Sequence, residues 1–162
     1  MKHLPILPVI IGSGFGAGFW PWGPGTAGAV LATLLWLGLS FCFAPTVLFC
    51  ITLVLVIGFT LLGTWATDRL MPYWGEDPKR VVVDEMVGVW IPLLMAGGDI
   101  PQRYWLALAA LILFRFFDIV KPLGIRALDR KSGAIWVMLD DVVAGIYSLI
   151  VLYLFIKIMA WG

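Results

Sequence analysis

The sequence predicts an all-helical bundle embedded in a membrane, with four or five spans and a Gly/Pro-rich loop at its N-terminal end. Two observations predict this. Hydrophobic residues make up 62% of the 162-residue chain and charged residues only 13%, with a mean hydropathy of +1.00. A soluble domain carries about half apolar and about a quarter charged residues, so here too little polar surface remains to cover a soluble exterior. The charges are also placed unevenly. Only Lys2 precedes Asp68, and residues 3–67 hold no acid and no permanent base. That run suffices for about three crossings of a 30 Å hydrocarbon core at about 1.5 Å per residue. No repeat or polar linker divides the chain, so residues 1–162 are read as one domain.

Each element follows from local punctuation. Residues 1–19 loosely resemble a signal peptide, but Pro5 and Pro8 interrupt the apolar run and Gly-rich sequence continues from it, so the segment is read as retained. Residues 12–25 are too rich in Gly and Pro for an uninterrupted helix, and their backbone polar groups must be wet or buried in protein rather than facing lipid. Thr26 suits the N-cap of a first span over residues 27–43. Pro45 opens a second span reaching residue 66, and residues 68–80 read as a polar loop. A third helix covers residues 82–96 and is ended by Gly97-Gly98-Asp99-Ile100-Pro101. A fourth covers residues 104–119 and stops before Pro122, because the residue preceding a proline is pushed out of the α region. Asp129-Arg130-Lys131-Ser132-Gly133 is a second polar loop, and the last span covers residues 141–161. The apolar parts of the third and fourth helices are short for a full crossing, which predicts tilt or polar ends. In this layout Lys2, Arg69, Lys79, Arg80, Lys121, Arg126, Arg130 and Lys131 share one side and Arg103 lies on the other, while Lys157 snorkels. The positive-inside rule makes the crowded side cytoplasmic. Trp20, Trp22, Trp65, Trp74, Trp105 and Trp161 fall near predicted interfaces as belt anchors.

Composition excludes several functions. A net charge of +1 and a pI of about 7.8 give nothing for nucleic acid to bind. His3 is the single histidine and is terminal, which removes Ser-His-Asp, Cys-His and phosphohistidine chemistry. Cys42 and Cys50 lie in apolar sequence without metal-ligand spacing and read as membrane-buried thiols. Gly23-Pro24-Gly25-Thr26-Ala27-Gly28 formally fits a dinucleotide fingerprint, but no βαβ unit surrounds it. It reads equally as a tight turn into a helix and as an anion-binding helix N-terminus.

The remaining ionisable residues form three clusters on one predicted face. Asp84-Glu85 opens the third helix, Asp140-Asp141 opens the last, and Arg115, Asp118 and Lys121 end the fourth. An uncompensated acid at mid-bilayer costs about 2.5–3.5 kcal/mol, and adjacent acids repel each other; a divalent cation relieves both. Hard oxygen donors without ligand-type Cys or His point to Mg²⁺ or Mn²⁺ rather than Zn²⁺. The competing interpretation, that these acids merely pair with Arg115, Lys121 and Arg126 or cap helices, suits any one pair alone but not two pairs and a basic cluster at one interface. Gly88, and Ala144-Gly145, follow the acid pairs closely enough to let their helices approach. Arg115–Asp118 and Asp118–Lys121 are helix neighbours, so Asp118 either binds metal or holds the two bases, which suit phosphate oxygens as a fork and a point charge. Carboxylates holding cations, which activate water and clamp a phosphoryl group, fit what remains.

Four segments carry a family resemblance: Gly14-Phe15-Gly16-Ala17-Gly18 with Pro24-Gly25-Thr26-Ala27-Gly28; Val83-Asp84-Glu85-Met86-Val87-Gly88; Phe114-Arg115-Phe116-Phe117-Asp118-Ile119-Val120-Lys121-Pro122; and Met138-Leu139-Asp140-Asp141-Val142-Val143-Ala144-Gly145. In order and spacing the chain resembles phosphatidylglycerophosphatase A, a bacterial membrane enzyme. The resemblance implies an all-helical protein of the bacterial cytoplasmic membrane that uses Mg²⁺ to hydrolyse phosphatidylglycerophosphate to phosphatidylglycerol at the cytoplasmic face. It implies Asp84, Glu85, Asp140 and Asp141 as metal ligands. Asp84, Asp118, Asp140, Arg115 and Lys121 become the catalytic set. Arg115 and Lys121, with Arg126, Gly25 and Thr26, become the substrate-binding set. The family's Lys-Pro-x-Pro-Ile reads Lys121-Pro122-Leu123-Gly124-Ile125 here, and its Gly-rich lead into the last acid pair reads Gly133-Ala134-Ile135-Trp136-Val137. Every charged residue of the motifs is present. Attack by water and attack by Asp84 or Asp140 remain alternatives. So do a phosphatidic acid-like substrate and a non-enzymatic cation-binding membrane protein.

Overall fold

The computed structural model describes residues 4–76, 78–122 and 124–159; Lys2, His3, Asp77, Leu123 and Trp161, all used in the sequence reading, lie outside them. Among the described residues there are seven α-helices and one 3₁₀ turn, with no strand. The helices are α1 (Ile6–Gly12), α2 (Pro24–Cys42), α3 (Pro45–Trp74), α4 (Val83–Leu93), α5 (Ile100–Val120), α6 (Ile125–Asp129) and α7 (Ala134–Met159).

The Gly-rich N-terminal stretch is partly buried in protein, Ser13, Gly14 and Gly18 fully so. The amides of Gly14, Gly16 and Gly18 donate to carbonyls of Ile11 and Ser13, and Val82 N–H donates to Gly12 at 2.8 Å, tying this stretch to the start of α4. Several boundaries differ from the expected ones: α4 ends at Leu93 rather than residue 96, α5 opens at Ile100 rather than residue 104, the short helices α1 and α6 were not expected, and three further differences bear on the site. Gly23, at φ 95°, is the N-cap of α2 and Pro24 its first residue, so Thr26 sits inside the first turn rather than capping it. α3 continues through residues 68–74, expected as loop, because its polar end can stay helical in water; Gly75 at φ 95° stops it. α7 begins at Ala134, directly after Gly133 at φ 121°, which places Asp140 and Asp141 in its second turn and not at its opening. The end of α5 agrees with the expectation: Lys121 leaves the helix with φ 48°, immediately before Pro122.

α4 is the central element. Ten of its eleven residues are buried, and it packs against α2, α3, α5 and α7. Its contact with α7 is made by glycines. A Cβ on Gly145 would lie 2.4 Å from the Gly88 carbonyl oxygen, and one on Gly88 would lie 2.2 Å from the Phe114 ring. The core around it holds Trp36, Met86, Trp90 and Phe114. Both buried indoles keep a partner: Trp90 donates to the Ala32 carbonyl at 3.0 Å and Trp36 to the Thr52 hydroxyl at 2.9 Å.

The exterior is apolar instead. Leu34, Val54, Leu61, Ile112, Leu154 and Phe155 all point outward, as lipid-facing residues must. α2, α3 and α7 are long and apolar enough to cross a membrane. α5 has the length, at 21 residues, but carries Arg103, Arg115 and Asp118. α4, at 11 residues, spans only about 16 Å at 1.5 Å per residue and is shielded from lipid by its neighbours. Arg103 is buried at the end away from Asp84 and donates to the carbonyls of Gly98 and Ser40, satisfying the last turn of α2.

Candidate active site

The close approach of α4 and α7 decides where the acids meet. Gly88 lies one turn beyond Asp84 and Glu85, and Gly145 lies one turn beyond Asp141, so drawing the glycines together draws the carboxylates together. Asp84, Glu85 and Asp141 each offer an oxygen within 4.8 Å of the others. Asp84 and Asp141 are buried and Glu85 is half-buried. Burial, reinforced by the facing acids, raises the Asp84 carboxyl well above its ordinary range, and burial likewise raises Glu85.

These acids floor a cavity of about 350 Å³ that is also lined by Arg115, Asp118, Lys121 and Asp140 and closed on one side by Gly23-Pro24-Gly25 of α2. Gly25 is there because nothing larger fits: a Cβ would lie 2.1 Å from Glu85 Oε1 and 3.3 Å from Arg115 Nη1. Arg115 Nη1 lies 2.5 Å from Asp118 Oδ2, without the alignment of a hydrogen bond. Arg115 Nε and Nη1 and Glu85 Oε2 are all buried with no hydrogen-bond partner. An orphaned donor set needs an anion and an orphaned carboxylate oxygen needs a cation. Both needs face one cavity.

The αL turn at Lys121 swings its ammonium between Asp129 and Asp140, 2.8 Å from the latter. Burial alone would lower the Lys121 pKa, but hydrogen bonds to Asp129 and Asp140 outweigh it and hold it above its usual value. Asp140 therefore turns to Lys121, while its neighbour Asp141 turns to Asp84 and Glu85. Thr26 and Arg126, expected in the substrate set, do not line the cavity. Thr26 faces outward along α2 because Gly23 and Pro24 take the capping positions. Arg126 is exposed and donates back to the Val120 carbonyl at 3.1 Å. The cavity also holds residues that the sequence reading did not single out: Lys79, Asp129, Lys131 and Trp136. Lys131 Nζ sits 3.8 Å from the centroid of the Trp136 ring, a contact foreshadowed only by their spacing across Gly133.

Comparison with known proteins gives the family. A profile of the family described as phosphatidylglycerophosphatase A matches residues 10–156. A Bacteroides thetaiotaomicron protein named "Putative phosphatidylinositol-3-phosphatase" is 55% identical over 94% of this chain and 95% of its own. The phosphatidylglycerophosphatase A proteins of Escherichia coli and Haemophilus influenzae are 34% and 36% identical, over 89% and 94% of this chain and 80% and 92% of theirs. No solved structure matches. The chain belongs to the phosphatidylglycerophosphatase A family and is a lipid phosphatase, a phosphoric monoester hydrolase.

Proposed function

We propose that the protein hydrolyses the terminal phosphate of phosphatidylglycerophosphate, with Mg²⁺, at the cytoplasmic face of the bacterial inner membrane. The observation that carries this is the meeting, in one cavity, of a three-carboxylate cluster with the Arg115 guanidinium, which is ion-paired to Asp118 but whose Nε and Nη1 make no hydrogen bond. Asp84, Glu85 and Asp141 would hold the cation, and their all-oxygen donor set suits Mg²⁺. The ion supplies Lewis-acid charge stabilisation and a nucleophile at neutral pH. The chain's own residues do the rest. Arg115 offers its fork to the phosphoryl oxygens, and Asp118 holds that fork in place. Lys121, positioned by Asp129 and Asp140, adds a fixed positive charge where the phosphoryl oxygens gather charge. The P–O ester bond breaks, water oxygen ends in inorganic phosphate, and the lipid leaves as the free alcohol.

A second substrate has a specific observation behind it. The 55% identical relative carries the name of a phosphatidylinositol-3-phosphatase, and both lipids present a phosphate monoester on a diacylglycerol phosphodiester. The same catalytic cluster serves either, so selection falls to the rim residues Lys79, Lys131 and Trp136. The decisive measurement is phosphate release from each lipid by purified protein, with Mg²⁺ and with EDTA. Release from phosphatidylglycerophosphate that stops with EDTA is expected. Release from phosphatidylinositol 3-phosphate alone would transfer the assignment to that headgroup. No release from either would overturn it.

A further inference from the structure

A second concavity adjoins the polar cavity and is chemically its opposite. It has a volume of about 360 Å³ and is lined by Trp20, Trp22, Gly23, Ala27, Val30 and Leu34, with Thr26 and Leu31 completing it. Gly23 borders both concavities. The helical residues fall at 26/27, 30/31 and 34, one stripe along one face of α2. Its side wall is the edge-to-face pair Trp20–Trp22, with ring centroids 6.4 Å apart. Trp22 is 84% exposed.

We propose that this groove binds an acyl chain of the phospholipid whose phosphate occupies the cavity, so that the enzyme positions its substrate by the tail as well as by the headgroup. The proposal rests on the functional reading above. Three observations favour this occupant over a protein segment or general lipid contact. The groove adjoins the headgroup cavity at Gly23, which lines both and carries no side chain. Its chemistry runs in the order of a phospholipid: carboxylates and Arg115 first, then the Thr26 hydroxyl at the level of the glycerol esters, then only Ala27, Val30, Leu31 and Leu34. Its length also fits, since Gly23 to Leu34 spans about 16 Å of helix axis, roughly one leaflet of a 30 Å hydrocarbon core. The other large apolar groove, between α3 and α7, shares no lining residue with the cavity among the described residues.

The test compares kcat/KM on dioleoyl and dihexanoyl phosphatidylglycerophosphate in mixed micelles. Wild type favours the long-chain lipid. Val30→Trp, which fills the groove, should cut that preference by about fivefold or more, as loss of even one or two buried methylenes would. Leu61→Trp, in the α3–α7 groove, should keep it. An unchanged preference in Val30→Trp overturns the proposal. A second measurement needs neither a folded variant nor turnover: wild type is photolabelled with a phospholipid phosphate carrying a diazirine at mid-chain. Label concentrated on residues 20–34 supports the groove, and label spread evenly over the outer faces of α3, α5 and α7 overturns it. Absence of hydrolysis by wild type on either chain length sinks the functional reading instead, and the photolabel still decides the groove.

Discussion

Asp84, Glu85 and Asp141 are close enough that one cation could touch all three and that, without one, each destabilises the others. This gives Asp84→Asn and Asp141→Asn a paired outcome. Activity should fall by about two orders of magnitude or more, because the cation's charge stabilisation goes with its ligand. Metal-free thermal stability should hold or rise, because a neutral amide removes like-charge repulsion in a buried site. Wild type at saturating Mg²⁺ should gain stability by linkage, about 2.7 kcal/mol when the ion is at 100 times its Kd, and both variants should lose most of that gain. Wild-type activity with no Mg²⁺-dependent shift in any protein would remove the metal from this cluster. Arg115 makes a separate case. Its Nε and Nη1 lack hydrogen-bond partners, so Arg115→Lys keeps the charge, loses the fork and should raise KM and lower kcat together; unchanged kinetics would sink its phosphate-binding role.

At the scale of elements, two glycines do what no charged residue can. Gly145→Ala places a methyl 2.4 Å from the Gly88 carbonyl oxygen, and backbone cannot step aside as a side chain can. α4 and α7 must separate, with an expected overpacking cost of about 1–3 kcal/mol and a weakened Mg²⁺-dependent thermal shift. Gly58→Ala is the control. Nothing lies within 4 Å of its would-be Cβ, so it should be neutral or stabilise α3 by up to about 1 kcal/mol. Equal effects from both would show that helix–helix approach does not set the site. Much of this was legible in the sequence, because the acids and the small residues recur at helical spacing and helical spacing fixes a shared face. What was not legible had a common cause. Thr26 looked like a cap until Gly23 at φ 95° and Pro24 took the first positions, and a backbone angle is not written in residue type alone. Asp140-Asp141 looked like a helix opening because residues 133–137 read as a lead into the acid pair, whereas Gly133 is the last residue before α7. Lys79 and Lys131 from loops, and Asp129 from the end of α6, reach a cavity that only tertiary packing brings together.

Across the whole molecule, polarity is inside out and lopsided. A buried α4 is surrounded by helices whose outer faces are Leu, Ile, Val and Phe, and the basic residues crowd the end that holds the acid cluster. Lys79, Lys121 and Lys131 line the cavity itself, while Arg103 marks the opposite end, tied to the last turn of α2. Positive residues in short loops favour the cytoplasmic side, so the proposed orientation rests on the same charges that would attract a phosphorylated headgroup. This is open to direct measurement. In a background where Cys42→Ala and Cys50→Ala remove the two free thiols, Arg130→Cys and Gln102→Cys place single thiols at exposed positions on opposite ends. A membrane-impermeant maleimide should label Arg130→Cys in inside-out vesicles and not in intact spheroplasts, and Gln102→Cys in the reverse pattern. The inverse result would put the acid cluster on the outer face, where a lipid phosphate made inside the cell could reach it only after crossing the bilayer. Labelling of both positions from one side would show that α5 does not cross, and would leave α2, α3 and α7 as the crossings.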